Sequence, residues 1–294
     1  MFFGIVNHIA LRYDLGGLNK YQIAQLGRAK APLRYAFARR LAQTLCINND
    51  GIIKTIEEPT PIMVSCAIIK DRSKRNAQKE KLDIEALLAE AAKFAEVEST
   101  YDEPSLYGVT DGKAVGTYLE HKFMQYLLAK YDFAQGNSAS GIDFPGLHVD
   151  MKVTSIRQPQ SSCPYKSARQ KIYGLGYNLL IFVYDKTDDA KGHTGRLNMQ
   201  HTIFVEKDRT ADFQMSKEVL RILKNEGNTD DLVALMQDKN LPVDEIGARA
   251  IAEEIIKNPP KQGYLTISNA LQWRLQYGRV IQKAGEIEGI QRIR

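Results

Sequence analysis

Asp143, Asp150 and Lys152 are the residues of this chain best suited to chemistry, and they sit in the run Gly141-Ile-Asp-Phe-Pro-Gly-Leu-His-Val-Asp-Met-Lys-Val-Thr-Ser155. In a β-strand, side chains two residues apart share a face. Asp150 and Lys152 therefore project together, while Val149, Met151 and Val153 point the other way. The apolar set can fill a core; the charged pair needs water, a metal or a polar partner. Pro145-Gly146 is a turn signal, so the chain can fold back and bring Asp143 towards Asp150. Two converging carboxylates beside a lysine suit magnesium-assisted phosphodiester hydrolysis. Hard oxygens hold the ion, and the lysine orients water or offsets developing charge. A solvated strand face with an ordinary Asp–Lys pair is the competing reading of these three residues.

These side chains need elements to position them, and the first is a helix. Between Asp111 and Lys130, Val115, Leu119, Phe123, Tyr126 and Leu127 recur at steps of three and four, the signature of an amphipathic helix. Glu120 falls at the border of that stripe, one turn after Gly116. A glycine inside a helix costs about 1 kcal/mol relative to alanine, so close approach of another backbone is expected at Gly116. Taken alone, Glu120 reads as an ordinary exposed helix glutamate.

Taken together, Lys113-x-x-Gly116-x-x-x-Glu120, Asp143-Phe-Pro and Asp150-x-Lys152-Val-Thr resemble the PD-(D/E)xK nuclease core. The likeness is greatest to the branch that holds the mismatch-repair nickase MutH and related type II restriction endonucleases. The order of the motifs, the six-residue gap and the apolar neighbours of the strand acid are kept; position 150 carries Asp in place of that branch's Glu. The resemblance spans about residues 108–156, extending towards Lys171 and the strand after it. It implies metal ligands at Asp143 and Asp150, a catalytic lysine at Lys152 and an accessory acid and metal ligand at Glu120, with Mg2+ as cofactor and Mn2+ able to substitute. It also implies an α/β (α+β) fold, a mixed central β-sheet flanked by helices, with helical N- and C-terminal additions to a restriction-endonuclease-like core.

The 294 residues suffice for one large domain or two modest ones. Composition, at 44% hydrophobic and 26% charged, is that of an ordinary soluble protein. Cys46, Cys66 and Cys163 lie far apart with no histidine cluster, which argues against a zinc site or a disulfide framework. The apolar opening lacks a basic leader, and no run approaches the roughly 20 apolar residues of a membrane span. The expectation is a reduced, cytoplasmic protein. The net charge of +5 is unevenly spread: residues 1–50 hold Arg12, Lys20, Arg28, Lys30, Arg34, Arg39 and Arg40 against Asp14 and Asp50.

Three regions are expected: a basic helical region over 1–100, the catalytic core over 101–210 and a helical region over 211–294. In the first, two short helices over 18–26 and 33–45 suggest a basic hairpin, with a helix-turn-helix as the alternative, and residues 62–69 form a short buried strand or helix core. Lys74 and Arg75 lie in a cationic run over 70–81. A helix is expected from Asp83 to Val97, and residues 135–141 form a polar loop. Residues 158–169 are a polar segment without periodicity, in the neighbourhood of Arg157, Lys166 and Arg169. A strand buried on both faces spans 177–184, and a turn over 185–195 leads to a strand over 197–205. Helices follow at 215–223, 230–237 and 244–256. A last element over 268–283 mixes Trp273, Arg274, Tyr277, Arg279 and Lys283, as either a nucleic-acid surface or a helix with its aromatics in the core. Candidate phosphate contacts are Arg34, Arg39, Arg40, Lys74, Arg75, Arg157, Lys166, Arg169 and Lys171.

The function expected is a sequence-specific double-stranded DNA endonuclease of a restriction-modification system, leaving 5′-phosphates. It would act as a homodimer on symmetric DNA, alongside a cognate DNA methyltransferase. A repair nickase or structure-selective nuclease is the enzymatic alternative, and a DNA-binding regulatory protein the non-enzymatic one.

Overall fold

A computed structural model describes residues 79–294 of the chain, apart from 137–140, 164–165 and 269–272. The expected elements over 1–78, and with them Arg34, Arg39, Arg40, Lys74 and Arg75, lie outside the described residues. In chain order the strands are β1 (Glu80–Lys81), β2 (Asp102–Glu103), β3 (Tyr131–Asp132), β4 (Val149–Ser155), β5 (Gln160–Cys163), β6 (Asn178–Asp189), β7 (Thr194–Val205), β8 (Thr266–Ile267), β9 (Trp273–Gln276) and β10 (Ile290–Arg292). The α-helices are α1 (Ile84–Ser99), α2 (Gly112–Leu128), α3 (Gln170–Tyr173), α4 (Phe213–Lys224), α5 (Thr229–Asp238), α6 (Glu245–Lys257) and α7 (Gly278–Lys283).

The central sheet runs β10-β7-β6-β4, with β2 added along β7. β4 pairs parallel with β6, and β6 pairs antiparallel with β7, so the sheet is mixed as expected. Alternation explains its two cores. Val149, Met151, Leu180, Phe182 and Tyr184 face α1 and α2, where Leu87, Phe94, Leu119, Phe123 and Leu127 close over them. Burying each such side chain contributes about 1.5–3 kcal/mol. Leu179, Ile181, Val183, Ile203 and Val205 face the other way, onto a smaller antiparallel sheet, β5-β9-β8, through Ile267, Leu275 and Tyr277. A third core joins α4, α5 and α6 through Val219, Leu232, Met236 and Ile255.

Both positioning helices start where a carboxylate takes an end N–H. Asp83 accepts from Ala86 and Asp111 from Lys113. Three expectations change. The turn between β6 and β7 is confined to 190–193, because Asp185–Asp189 stays paired with Thr194–Asn198. The polar segment over 158–169 contains β5, whose inner residue Cys163 enters a core while its neighbour Ser162 stays exposed. The element over 268–283 is no single helix: it divides into β9 and α7, which puts Tyr277 in the core and Arg274 outside. Among the described residues no helix is long and apolar enough to cross a membrane.

Candidate active site

β4 carries Asp150 and Lys152 along an edge of the central sheet, since among the described residues its one ladder partner is β6. The turn foreseen at Pro145-Gly146 forms: a 3-10 turn spans Pro145–Leu147, and His148 closes it in the left-handed region at φ 52°. Phe144 and Val149 then exchange backbone hydrogen bonds of 2.9 and 3.2 Å. That pairing brings Asp143 back along β4, where its Oδ2 accepts from the Met151 N–H at 2.8 Å. Behind it, the Gly136 N–H donates to the Asp143 carbonyl at 2.8 Å. A Cβ on Gly136 would sit 1.9 Å from the Ile142 carbonyl oxygen, so this position has room only for glycine.

Lys152 Nζ lies 2.8 Å from Asp150 Oδ2, and Asp150 is only 3% exposed. Burial pushes the Asp150 carboxyl above its ordinary range, and Asp143 adds to the rise while Lys152 opposes it. Burial works against the Lys152 ammonium, but Asp150, Asp143 and Glu120 outweigh it and hold the lysine charged. Glu120 reaches the same edge from α2. Burial first, and then the negative charge of Asp143 and Asp150, raise its carboxyl from 4.5 to about 7, against the pull of Lys152. All four residues expected at the site are therefore within electrostatic reach of one another.

The expectation at Gly116 is not met. Its nearest neighbour would be the Cβ of Val153, at an ordinary 3.9 Å from an added Cβ, so no backbone approaches there. Sequence reasoning also passed over the wall behind Asp150. Tyr277 shares a hydrogen bond with Ser161, and Cys163 Sγ lies 3.8 Å from the Tyr177 hydroxyl. Asp150 helps raise the Tyr177 and Tyr277 hydroxyls, after burial, which is the larger cause. Thr154, two residues beyond Lys152 on the same face, accepts from the Gln160 N–H at 2.9 Å and so anchors β5 to β4. The period-two rule could have pointed to Thr154; nothing local points to the tyrosines.

The cations suggested for DNA divide. Lys166 is exposed. Arg157 is largely exposed and pairs with Asp185 at 3.2 Å. Arg169 is committed within the fold: it grips Glu254 of α6 with two nitrogens and stacks its guanidinium on Tyr173. Lys171 is 6% exposed, and burial lowers its ammonium against the pull of Asp212. Its interior position does not suit a phosphate contact.

The donor set fits a hard divalent cation. Three carboxylates face one lysine, two of them half-buried and Asp150 buried, and every candidate ligand is oxygen. Among the described residues no group of three or more His, Cys, Asp or Glu is already gathered as a ready cage.

A family model described as type II restriction enzyme NspV matches residues 81–292. The type II restriction enzyme NspV of Nostoc sp. (strain ATCC 29411 / PCC 7524) is 69% identical over 209 residues, which is 71% of this chain and 95% of that protein. No solved structure matches the chain. With most of its length matched, including every element of the site, the chain belongs to the type II restriction enzyme NspV family.

Proposed function

We propose that this protein is a sequence-specific double-stranded DNA endonuclease of a restriction-modification system and hydrolyses phosphodiester bonds at the edge of β4. The observation that carries the reading is the meeting of Asp143 and Asp150 beside Lys152, in a chain of a restriction-enzyme family. We read the site as a PD-(D/E)xK centre of the MutH-like branch. Asp143 and Asp150, with Glu120 as accessory, would hold Mg2+, for which Mn2+ would substitute. When bound, such an ion polarises the scissile phosphate and eases ionisation of the attacking water.

The chain's own groups do the rest. The three acids around Lys152 favour its ammonium form, in which it acts as a donor and point charge. It can turn from Asp150 to the water or to a phosphate oxygen, offsetting the charge that grows there. Asp143 ties the hairpin to β4 through the Met151 N–H and so fixes the spacing of the two acids. Glu120, its carboxyl raised to about 7, is about half protonated near neutral pH, and a bound cation would favour its ionised form. Water attacks phosphorus and releases a proton to solvent, the bond from phosphorus to O3′ breaks, and O3′ takes a proton from solvent, leaving a 5′-phosphate and a 3′-hydroxyl.

A symmetric site read by a homodimer, a cognate methyltransferase on the same sequence, and phosphate contacts from Arg34, Arg39, Arg40, Lys74, Arg75, Arg157 and Lys166 complete the proposal, with residues 101–210 as the catalytic core. The test is incubation of supercoiled plasmids with the protein, with magnesium or with chelator. Discrete, reproducible fragments that require the metal support the reading. Open circles alone would favour a repair nickase, and intact plasmid would leave a DNA-binding protein.

A further inference from the structure

Two segments that stand apart in the sequence meet in one small sheet, and both lack acidic residues. Residues 151–184 contain no Asp or Glu and neither do residues 255–285, although the chain carries 35 in 294. All of β5, β8 and β9 comes from these segments. The sheet's inner face is apolar, through Ile267 and Leu275. Its outer face follows from the register: directly opposed residues share a face. Gln160 lies opposite Gln276, which lies opposite Thr266; Ser162 lies opposite Arg274, whose carbonyl accepts from the Ser268 N–H. Ser162, Arg274, Gln276 and Thr266 are exposed, and Gln160 and Ser268 half-buried. Arg274 forms no ion pair among the described residues, unlike Arg157, Arg169 or Arg196. The face is thus uncharged or cationic: its Ser, Thr and Gln side chains can donate and accept hydrogen bonds, and Arg274 can donate them.

Resting on the restriction-enzyme reading, we propose that this outer face reads base edges in the major groove of the DNA substrate, with Arg274, Gln276 and Gln160 as the specificity-determining side chains. The axes of the two outer strands lie roughly 10 Å apart at about 4.8 Å spacing, on the scale of a major groove about 12 Å wide. The side-chain chemistry matches base edges: the arginine fork suits the two acceptors of guanine, and a glutamine amide suits the acceptor and donor of adenine. The absence of carboxylates removes repulsion from flanking phosphates. The face is also coupled to the scissile position. Thr154 of β4 accepts from the Gln160 N–H at 2.9 Å, and the Tyr277 N–H donates to the Pro159 carbonyl at 2.8 Å. A base pair engaged by Gln160 or Gln276 therefore sets where the backbone lies relative to Lys152.

The test uses the full chain. The wild-type preference is read from the ends of plasmid fragments, and cleavage is then measured on duplexes carrying every single base-pair change. Arg274→Ala and Gln276→Ala should each lower cleavage of the preferred site roughly 5- to 150-fold, the loss of one bidentate contact. Each should also abolish discrimination at one base pair and keep it at the others. Arg274→Lys should be as impaired as Arg274→Ala, because an ammonium lacks the fork. Gln160→Ala gives a third reading if either β9 variant melts below the parent. Undiminished discrimination in all the variants, from a wild type that cuts site-specifically, overturns this proposal and leaves the restriction reading standing. Discrimination kept in Arg274→Ala, with cleavage restored by Arg274→Lys, overturns it in favour of a phosphate contact. A wild type that cuts nothing overturns both.

Discussion

At the edge of β4, three carboxylates share one lysine, and each substitution there has a separate consequence. Asp143→Ala, Asp150→Asn and Lys152→Ala should each abolish measurable cleavage while specific binding persists, since base and phosphate contacts use other side chains; gel-shift and cleavage assays on one duplex separate the two. Glu120→Gln should lower turnover 10-fold or more, in line with outer-shell effects of roughly 10–100-fold. It should also stabilise the protein in chelator. The folded carboxyl holds its proton up to about pH 7, against 4.5 for an unperturbed glutamate, so the folded state binds more protons than the unfolded one between those values. Stability must then fall as pH rises through that window. The Glu120→Gln variant should therefore melt above the parent at pH 8 in chelator and level with it at pH 4. Equal melting at both pH values would place Glu120 in an ordinary solvated environment.

The elements that hold these residues were legible to different degrees. Periodicity made α2 readable, alanine-rich composition α1 and a continuous apolar run β6, while the caps supplied by Asp83 and Asp111 came from the structure. The strand face of Asp150 and Lys152 and the turn at Pro145-Gly146 followed from local rules. β5 and β9 did not, because their pairing joins segments more than 100 residues apart and their short alternation is broken by polar residues on the outer face. Local rules also misassigned the glycines. Gly136 was only a loop letter, yet it is closed in by the carbonyl beside Asp143; Gly116 looked constrained and has room. Gly136→Ala should thus displace Asp143 and reduce cleavage at least 10-fold, as an ångström-scale misplacement does. Gly116→Ala should raise stability by up to about 1 kcal/mol, read as a higher denaturant midpoint. The reverse ranking would invert the assignment of the two positions.

Across the whole described region, acid sensitivity should trace to a group far from the catalytic edge. Glu90 of α1 is buried, yet hydrogen bonds from Lys130, Tyr126 and Lys93 overcome that penalty and hold its carboxyl near 2, against an ordinary 4.5. A depressed folded value contributes stability that is present above about pH 4.5 and is lost as pH falls towards 2. At roughly 1.4 kcal/mol per unit this is up to about 3 kcal/mol. Melting temperature against pH should drop steeply over that interval in the parent and more gently in Glu90→Gln, which should be the less stable of the two at neutral pH. Parallel curves would remove Glu90 from the account.

The Asp143 carboxylate also changes how the molecule meets its neighbours. Among the described residues β4 ends the sheet, and an end strand with open N–H groups is a template for strand addition by another chain. Phe144 covers Val149, and Asp143 takes the N–H of Met151, so the hairpin that assembles the acids also closes the border against fibril-like stacking. Asp143→Ala would then do more than silence the enzyme: it would reopen that border, whereas Asp150→Asn would leave it shut. Light scattering on the two inactive variants, held concentrated at neutral pH, should show slow growth of large particles for Asp143→Ala alone. Colloidal behaviour would in that case have shaped this aspartate alongside chemistry.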